Sequence, residues 1–305
     1  MSQNSLNLSE LFPYPSYEEW KAAAVEALKG APFEKKMITS TYEGIELQPI
    51  YSKNDVEELE NLLHNLPGEQ PFLRHTERLG FKITPWEIAQ EINIPLPNIF
   101  NEALIGALER GQTRVVLKFN ENFAINPQSQ ISGKDLLVAD YRDFQDAVKN
   151  VHFECASLKV KPNSLGIELA AMIIAYIEKN KFDKSKINLS FGISPLAQLK
   201  NYGKSLVSIS KLIDDAEQLI RWKKANNINA KVIAIDGETY LNGGSSSVQD
   251  IAFSLAEAAF IIRELIQRGL SIDDIAQSIE FDFAIGPKFF TEIAKFRAAR
   301  ILWAK

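Results

Sequence analysis

From about residue 100 onward the chain alternates. Short runs rich in β-branched and aromatic residues are each followed by a longer stretch with helical spacing of its apolar side chains. The helix "NIFNEALIGALERGQ" leads into "TRVVLKF" (113–119), and "VHFECA" (151–156) is followed by "SLGIELAAMIIAYIEKN". "INLSFGIS" (187–194) precedes a helix around Ser205–Asn226. "AKVIAIDG" (230–237) leads to a helix beginning near Ser247, and "IEFDFAIG" (279–286) to "PKFFTEIAKFRAARILW". Strict alternation of this kind dictates parallel strands joined by helical crossovers. An open doubly wound sheet and a closed barrel both satisfy it. No G-x-G-x-x-G or G-x-x-x-x-G-K follows the first strand, which weakens the nucleotide-binding open sheet. Asn188, Ser190, Asp236 and Asp282 put small or polar residues at alternate strand positions. Inward-facing barrel positions look like this when the interior holds something polar. The expectation is an α/β fold, a (β/α)8 TIM-type barrel truncated to about five βα units, over residues 101–305.

Residues 1–100 read as an N-terminal extension with little core of its own. In "SYEEWKAAAVEALKG" Ser16 and Glu19 form a capping box, and Gly30 suits the helix exit. A short strand and a polar turn lead to a helix near Val56–Asn65. "LPGEQPFLRH" reads as an ordered loop, and "TPWEIAQEINIPLP" as one helical turn stopped by prolines.

Bulk properties exclude several functions. The charge is 34 − 39 = −5 with no basic tract, which argues against nucleic acid or an anionic membrane as partner. No stretch approaches the roughly 18 apolar residues needed to span a membrane. The first residues show no basic region followed by an apolar core, so a cytoplasmic location is expected. Cys155 is the single cysteine. It rules out an internal disulfide and reads as a small core hydrophobe.

Chemistry, if present, belongs near "VIAIDGETYLNGGSSSVQD" (232–250), where a strand passes through a Gly-Gly turn into a long helix. Serines 245–247 can cap that helix, with Ser247 and Asp250 as a box. The alternative is an anion cradle of backbone amides, although no Lys or Arg lies in the loop to help it. Asp236 and Glu238, flanking Gly237, are candidate acid/base groups; they can equally serve to hydrogen-bond the loop. His64, His75 and His152 have no metal-ligand spacing, so no metal is expected.

Two regions resemble the methylmalonyl-CoA mutase family. The C-terminal stretch from "GGSSSVQDIAFSLAEAAF" to "ARILW" is similar to its barrel, and "YEGIELQPIYSKND", "LPGEQPFLRH" and "PWEIAQE" to its N-terminal extension. The resemblance implies isomerisation of methylmalonyl-CoA and succinyl-CoA with adenosylcobalamin, the acyl-CoA chain threading the barrel. It also implies a separate C-terminal cobalamin-binding domain carrying D-x-H-x-x-G, absent from these residues. Catalytic members read roughly P-W-T-I-R-Q-Y and S-G-Y-H where this chain has "PWEIAQE" and "DGET". Their arginine, tyrosine and histidine then fall on Ala89, Glu91 and Thr239. These degenerate positions imply a non-catalytic small subunit in propionate metabolism. It would form a heterodimer with a homologous large subunit that holds the adenosylcobalamin, would bind no cofactor itself, and would bind acyl-CoA weakly or not at all. The alternative is an active acyl-CoA mutase of altered preference, with Asp236 or Glu238 as replacement groups.

Overall fold

The computed structural model describes residues 15–305 apart from 60, 61, 63, 84 and 121–133. The chain divides into two compact units, residues 1–64 and 65–305. In the first, helix α1 (Tyr17–Ala27) starts with the expected box. Glu19 N–H donates to Ser16 Oγ at 3.2 Å, and Ser16 N–H donates to Glu19 Oε2 at 2.8 Å. Two amide donors at the helix start are thereby satisfied reciprocally. Phe33, opening helix α2 (Phe33–Met37), is buried and meets Trp20 edge-on. Strands β1 (Thr39–Ser40) and β2 (Glu46–Leu47) pair antiparallel. The helix expected near 56–65 is a 3-10 segment, Asn54–Leu59, with Ser52 capping onto Asp55; 60, 61 and 63 lie outside the described residues.

The second unit is built on a curled, wholly parallel six-stranded sheet, a half-barrel with alternating helices. Its strands are β3 (Ala89–Glu91), β4 (Arg114–Lys118), β5 (Ser157–Lys161), β6 (Leu189–Ile193), β7 (Ala230–Asp236) and β8 (Ile279–Asp282), side by side in chain order. That order follows when every crossover has the same hand. The main connecting helices are α3 (Pro97–Glu109), α4 (Tyr141–Ala147), α5 (Gly166–Lys179), α6 (Ala197–Tyr202), α7 (Ile209–Ala225), α8 (Glu238–Asn242), α9 (Ser247–Gln267), α10 (Ile272–Ala276) and α11 (Phe289–Ala304). No helix among the described residues is long and apolar enough to cross a membrane.

Two strands differ from the sequence reading. β3 occupies the segment expected to make a helical turn. Its residues, Ala-Gln-Glu, favour strands poorly, but pairing with β4 overrides propensity. Ile88 N–H donates to Thr113 Oγ1 at 2.8 Å and Gln112 Nε2 to Gln90 O at 3.3 Å. Conversely, 151–156 is a turn, closed by Cys155 N–H and Ala156 N–H on His152 O. Its apolar residues Val151 and Phe153 are buried, with Phe153 packed on Tyr176 and Phe182. The strand itself follows at 157–161. Cys155 is exposed rather than a core residue, because the turn directs its neighbours inward instead.

The outer face of the sheet packs on the helices through Leu117, Leu158, Val160, Phe191 and Ile193. Phe191 meets Trp222 of α7 edge-on. At Gly192 strand β6 runs hard against β5. The glycine's φ is +64°, and a Cβ there would sit 1.9 Å from Val160 O. The pairing of β6 with β7 shifts register between Ser190 and Ile193, so the bulge re-aims the strand. Gly203 shares the left-handed φ, at +68°, but has open space around it. Gly203→Ala should cost about 1 kcal/mol and Gly192→Ala at least about 2 kcal/mol more. Urea unfolding midpoints check this; equal costs would refute the close approach as the reason for glycine at 192.

Candidate active site and its ion lattice

The inner face of the curled sheet carries charge. Register places Lys159 of β5 opposite Ser190 of β6, and Glu280 of β8 opposite Ala234 of β7. Lys159 Nζ lies 3.0 Å from Glu280 Oε1 and also pairs with Asp282. Arg114 of β4 reaches Glu280 Oε2 at 3.5 Å and Glu87 at 3.0 Å. Ser190 Oγ donates to Glu280 Oε1. One carboxylate thus collects donors from three strands. β4 and β8 are four strand spacings apart, about 19 Å in a flat sheet. An arginine and a glutamate cannot bridge that, so their contact requires the curl.

A second layer lies at the C-terminal ends of the strands. Lys161 pairs with Glu91 of β3 and stands 3.7 Å from Glu238. Burial works against the charge on Lys161, but Glu91, Glu238 and Asp282 outweigh it and hold the ammonium above its ordinary value. Thr239 Oγ1 lies 2.6 Å from Asp236 Oδ2 and 2.9 Å from Asn201 Oδ1, and its single proton serves one of them. Asp236, Glu238, Thr239 and Asp282 line a cavity of about 540 Å³ together with Lys159 and Lys161.

Lys200 of α6 also lines this cavity. Its ammonium donates to Asp236 O and to Glu257 Oε2, both at 2.8 Å, and lies 4.5 Å from the centre of the Tyr240 ring. Tyr240 OH donates to the same Glu257 oxygen at 2.9 Å. The Glu257 side chain, on α9, is 1% exposed. Burial pushes its carboxyl up against the opposing pull of Lys200. Burial, and then the Glu257 charge, pushes the Tyr240 phenol up.

The loop between β7 and α9 uses its serines as caps, one residue earlier than expected. The box is Ser246 with Gln249: Gln249 N–H donates to Ser246 Oγ at 3.3 Å and Ser246 N–H to Gln249 Oε1 at 3.0 Å. With these amides taken by the helix's own side chains, the cap reading prevails over the anion cradle. Asp250 is instead fully buried against Lys295 of α11 at 3.2 Å.

The family profile of methylmalonyl-CoA mutase matches residues 40–305. The chain belongs to the methylmalonyl-CoA mutase family. It is 28% identical over its whole length to a methylmalonyl-CoA mutase small subunit of Porphyromonas gingivalis, covering 46% of that protein. It is 24% identical to the methylmalonyl-CoA mutase of Rhizobium meliloti over 94% of this chain and 41% of the relative. It is 25% identical to the human mitochondrial methylmalonyl-CoA mutase over 95% and 39%. The chain thus spans less than half the length of these relatives.

In this mutase-family half-barrel, Glu91, Glu238, Asp236 and Thr239 converge at the cavity mouth, the first two through Lys161. Ala89 brings only an exposed methyl on the same edge strand. Arg114, Lys159, Lys161, Lys200, Glu257 and Glu280 were not foreseen from sequence. The signal for four of them was legible as charge at alternate positions in "RVVLK", "SLKVK" and "IEFD". Placing β5 at 151–156 hid it. The cobalamin that the resemblance implies finds no imidazole here. His75 accepts from Glu77 N–H in its loop at 2.8 Å, and His152 packs on Phe182 ahead of β5, away from the mouth. The described residues of this unit therefore do not fit a histidine-ligated cobalt.

Lys200→Met would strand the Glu257 carboxyl. The expected loss is about 3–5 kcal/mol at neutral pH. Because burial raises the folded pKa of Glu257, stability lost to its charge is lost as pH rises through that value. The deficit should therefore shrink on acidification towards pH 5. Denaturant unfolding of variant and parent across pH 5–8 checks it.

Proposed function

We propose that the chain belongs to a small, non-catalytic subunit of a methylmalonyl-CoA mutase complex and supports a homologous catalytic subunit that holds adenosylcobalamin. The observation that carries this reading is the Arg114–Glu280–Lys159–Asp282 lattice. It lines with charge the concave face along which the acyl-CoA chain of a catalytic member would run. Threading a pantetheine chain there would mean separating ion pairs whose members are mostly out of water, and each stranded charge carries a large penalty. The degenerate positions agree. Glu91 is committed to Lys161, and Thr239 is a hydroxyl bound to Asp236 or Asn201 where catalytic members have an imidazole. Removing one such donor from a developing charge costs about 10²–10³ in rate. The similarity to a protein named as a small subunit points the same way. In this reading residues 1–100 supply the subunit contact, and the complex works in the cytoplasm.

An active acyl-CoA mutase of altered preference is the second reading. The approach of Asp236 and Glu238 to one cavity at the strand ends favours it. Capture of the tagged protein from native extract separates the two. The small-subunit reading expects a homologous chain carrying S-G-Y-H and D-x-H-x-x-G at one-to-one stoichiometry. It also expects succinyl-CoA to bind this chain alone more weakly than micromolar in calorimetric titration. A protein recovered alone, with a micromolar dissociation constant, would overturn it in favour of the second.

A further inference from the structure

At the opposite end of the sheet two lysines meet without a carboxylate between them. Lys223, in the last turn of α7, folds back so that Nζ donates to Ala230 O at 2.8 Å and to Gln277 O at 3.4 Å. Lys231, from β7, donates to the same Gln277 O at 2.9 Å. Both are half-buried. The acids on the surrounding elements are engaged elsewhere. Asp274 of α10 takes Lys224 and Ser271 Oγ, each at 2.6 Å. Glu280 of β8 takes Arg114, Lys159 and Ser190. Arg221, on the same helix as Lys223, pairs with Glu217 and donates to Arg268 O, so it brings no free carboxylate to Lys223. Among the described residues no carboxylate lies within ion-pair distance of Lys223 or Lys231, whereas Lys159, Lys161, Lys200 and Lys295 each have one.

This arrangement favours the neutral amine. Burial, and then the like charge of Lys231, pulls Lys223 down to about 8, with Asp274 opposing. A neutral primary amine has two N–H bonds and one lone pair. Ala230 O and Gln277 O take the two N–H bonds, so the lone pair is left for an electrophile. Lysines made nucleophilic in proteins are activated by these same two devices, desolvation and a neighbouring cation.

We propose that Lys223 is an acylation site that takes its acyl group from an acyl-CoA thioester. The choice of donor rests on the acyl-CoA reading above; the reactivity of the amine does not. The nitrogen lone pair attacks the thioester carbonyl carbon, an N–C bond forms and the C–S bond breaks. Coenzyme A leaves as thiolate and takes up the proton released from nitrogen. The products are an amide and a thiol, with no net oxidation. Acylation also removes the positive charge that opposes Lys231.

The test is to incubate the full chain with succinyl-CoA between pH 7 and 9 and map modified lysines by peptide mass spectrometry. Lys149 and Lys288, both exposed, are internal references. An ordinary lysine titrates near 10.4, so at pH 8 Lys223 carries about a hundredfold more neutral amine. Allowing for its lower basicity, labelling about tenfold faster than the references is expected, with a midpoint near pH 8. Lys231→Met should move that midpoint upward and slow labelling at pH 8 several-fold. Acetic anhydride serves as an acyl donor without coenzyme A. Preference for Lys223 with both donors supports the proposal. Preference with the anhydride alone overturns the thioester as donor, and uniform labelling with both overturns the site itself. Failure to capture a partner subunit would leave a positive labelling result standing.

Discussion

Glu280 is the point through which the concave face is held. Donors from β4, β5 and β6 end on this one carboxylate, and Asp282 beside it takes the second contact of Lys159. A buried ion cluster of this sort is a weak source of net stability, since desolvation offsets much of its Coulomb energy. Its stronger effect is on geometry. Apolar side chains on the inner face would accept many degrees of curl, because hydrophobic contact is not directional. A guanidinium and an ammonium converging on one carboxylate accept few. The apolar outer face makes the sheet fold, and the polar inner face selects how far it bends.

The same division appears around the β7 loop. Lys200 bridges α6, the end of β7 and α9 by donating to Asp236 O and to Glu257. Ser246 and Gln249 close the helix start, and Lys295 anchors Asp250 from α11. None of these contacts needs a catalytic side chain at 239. A threonine there satisfies itself on Asp236 or Asn201, so the loop keeps its form whatever chemistry its surface groups offer.

The alternation of elements was legible because apolar periodicity is local, and it gave β4, β6, β7, β8 and the long helices α3, α5, α7, α9 and α11, while α4 and the short helices α6, α8 and α10 were missed. β3 was not legible. Three residues of low strand propensity form a strand only because β4 offers them partners, which is a tertiary fact. The error at 151–156 has the opposite origin. Val151 and Phe153 are buried without being extended, and apolarity alone does not distinguish the two. The mouth was half legible. Asp236, Glu238, Thr239 and Glu91 do converge, but their basic partners come from elements about 35–80 residues away in sequence: Lys161 pairs with Glu91 and Glu238, and Lys200 donates to the Asp236 carbonyl. Such pairs become visible only when the sheet has curled.

Lysine placement shows how far environment, rather than residue type, decides chemistry here. Lys159 and Lys161 point into a face already supplied with carboxylates, and they act as fixed charges. Lys295 is wholly buried between Asp250 and Glu292 and acts as an internal tie. Lys223 and Lys231 lie at the other end of the same sheet, where the acids are already taken and only backbone carbonyls remain. A carbonyl dipole orients an ammonium but cancels less of its charge than a carboxylate does. Proton loss is therefore easiest at the end of the sheet furthest from the cavity mouth. The inner-face lattice contributes to that asymmetry: with Glu280 paired to Arg114 and Lys159, its charge only partly opposes the burial that pulls Lys231 down.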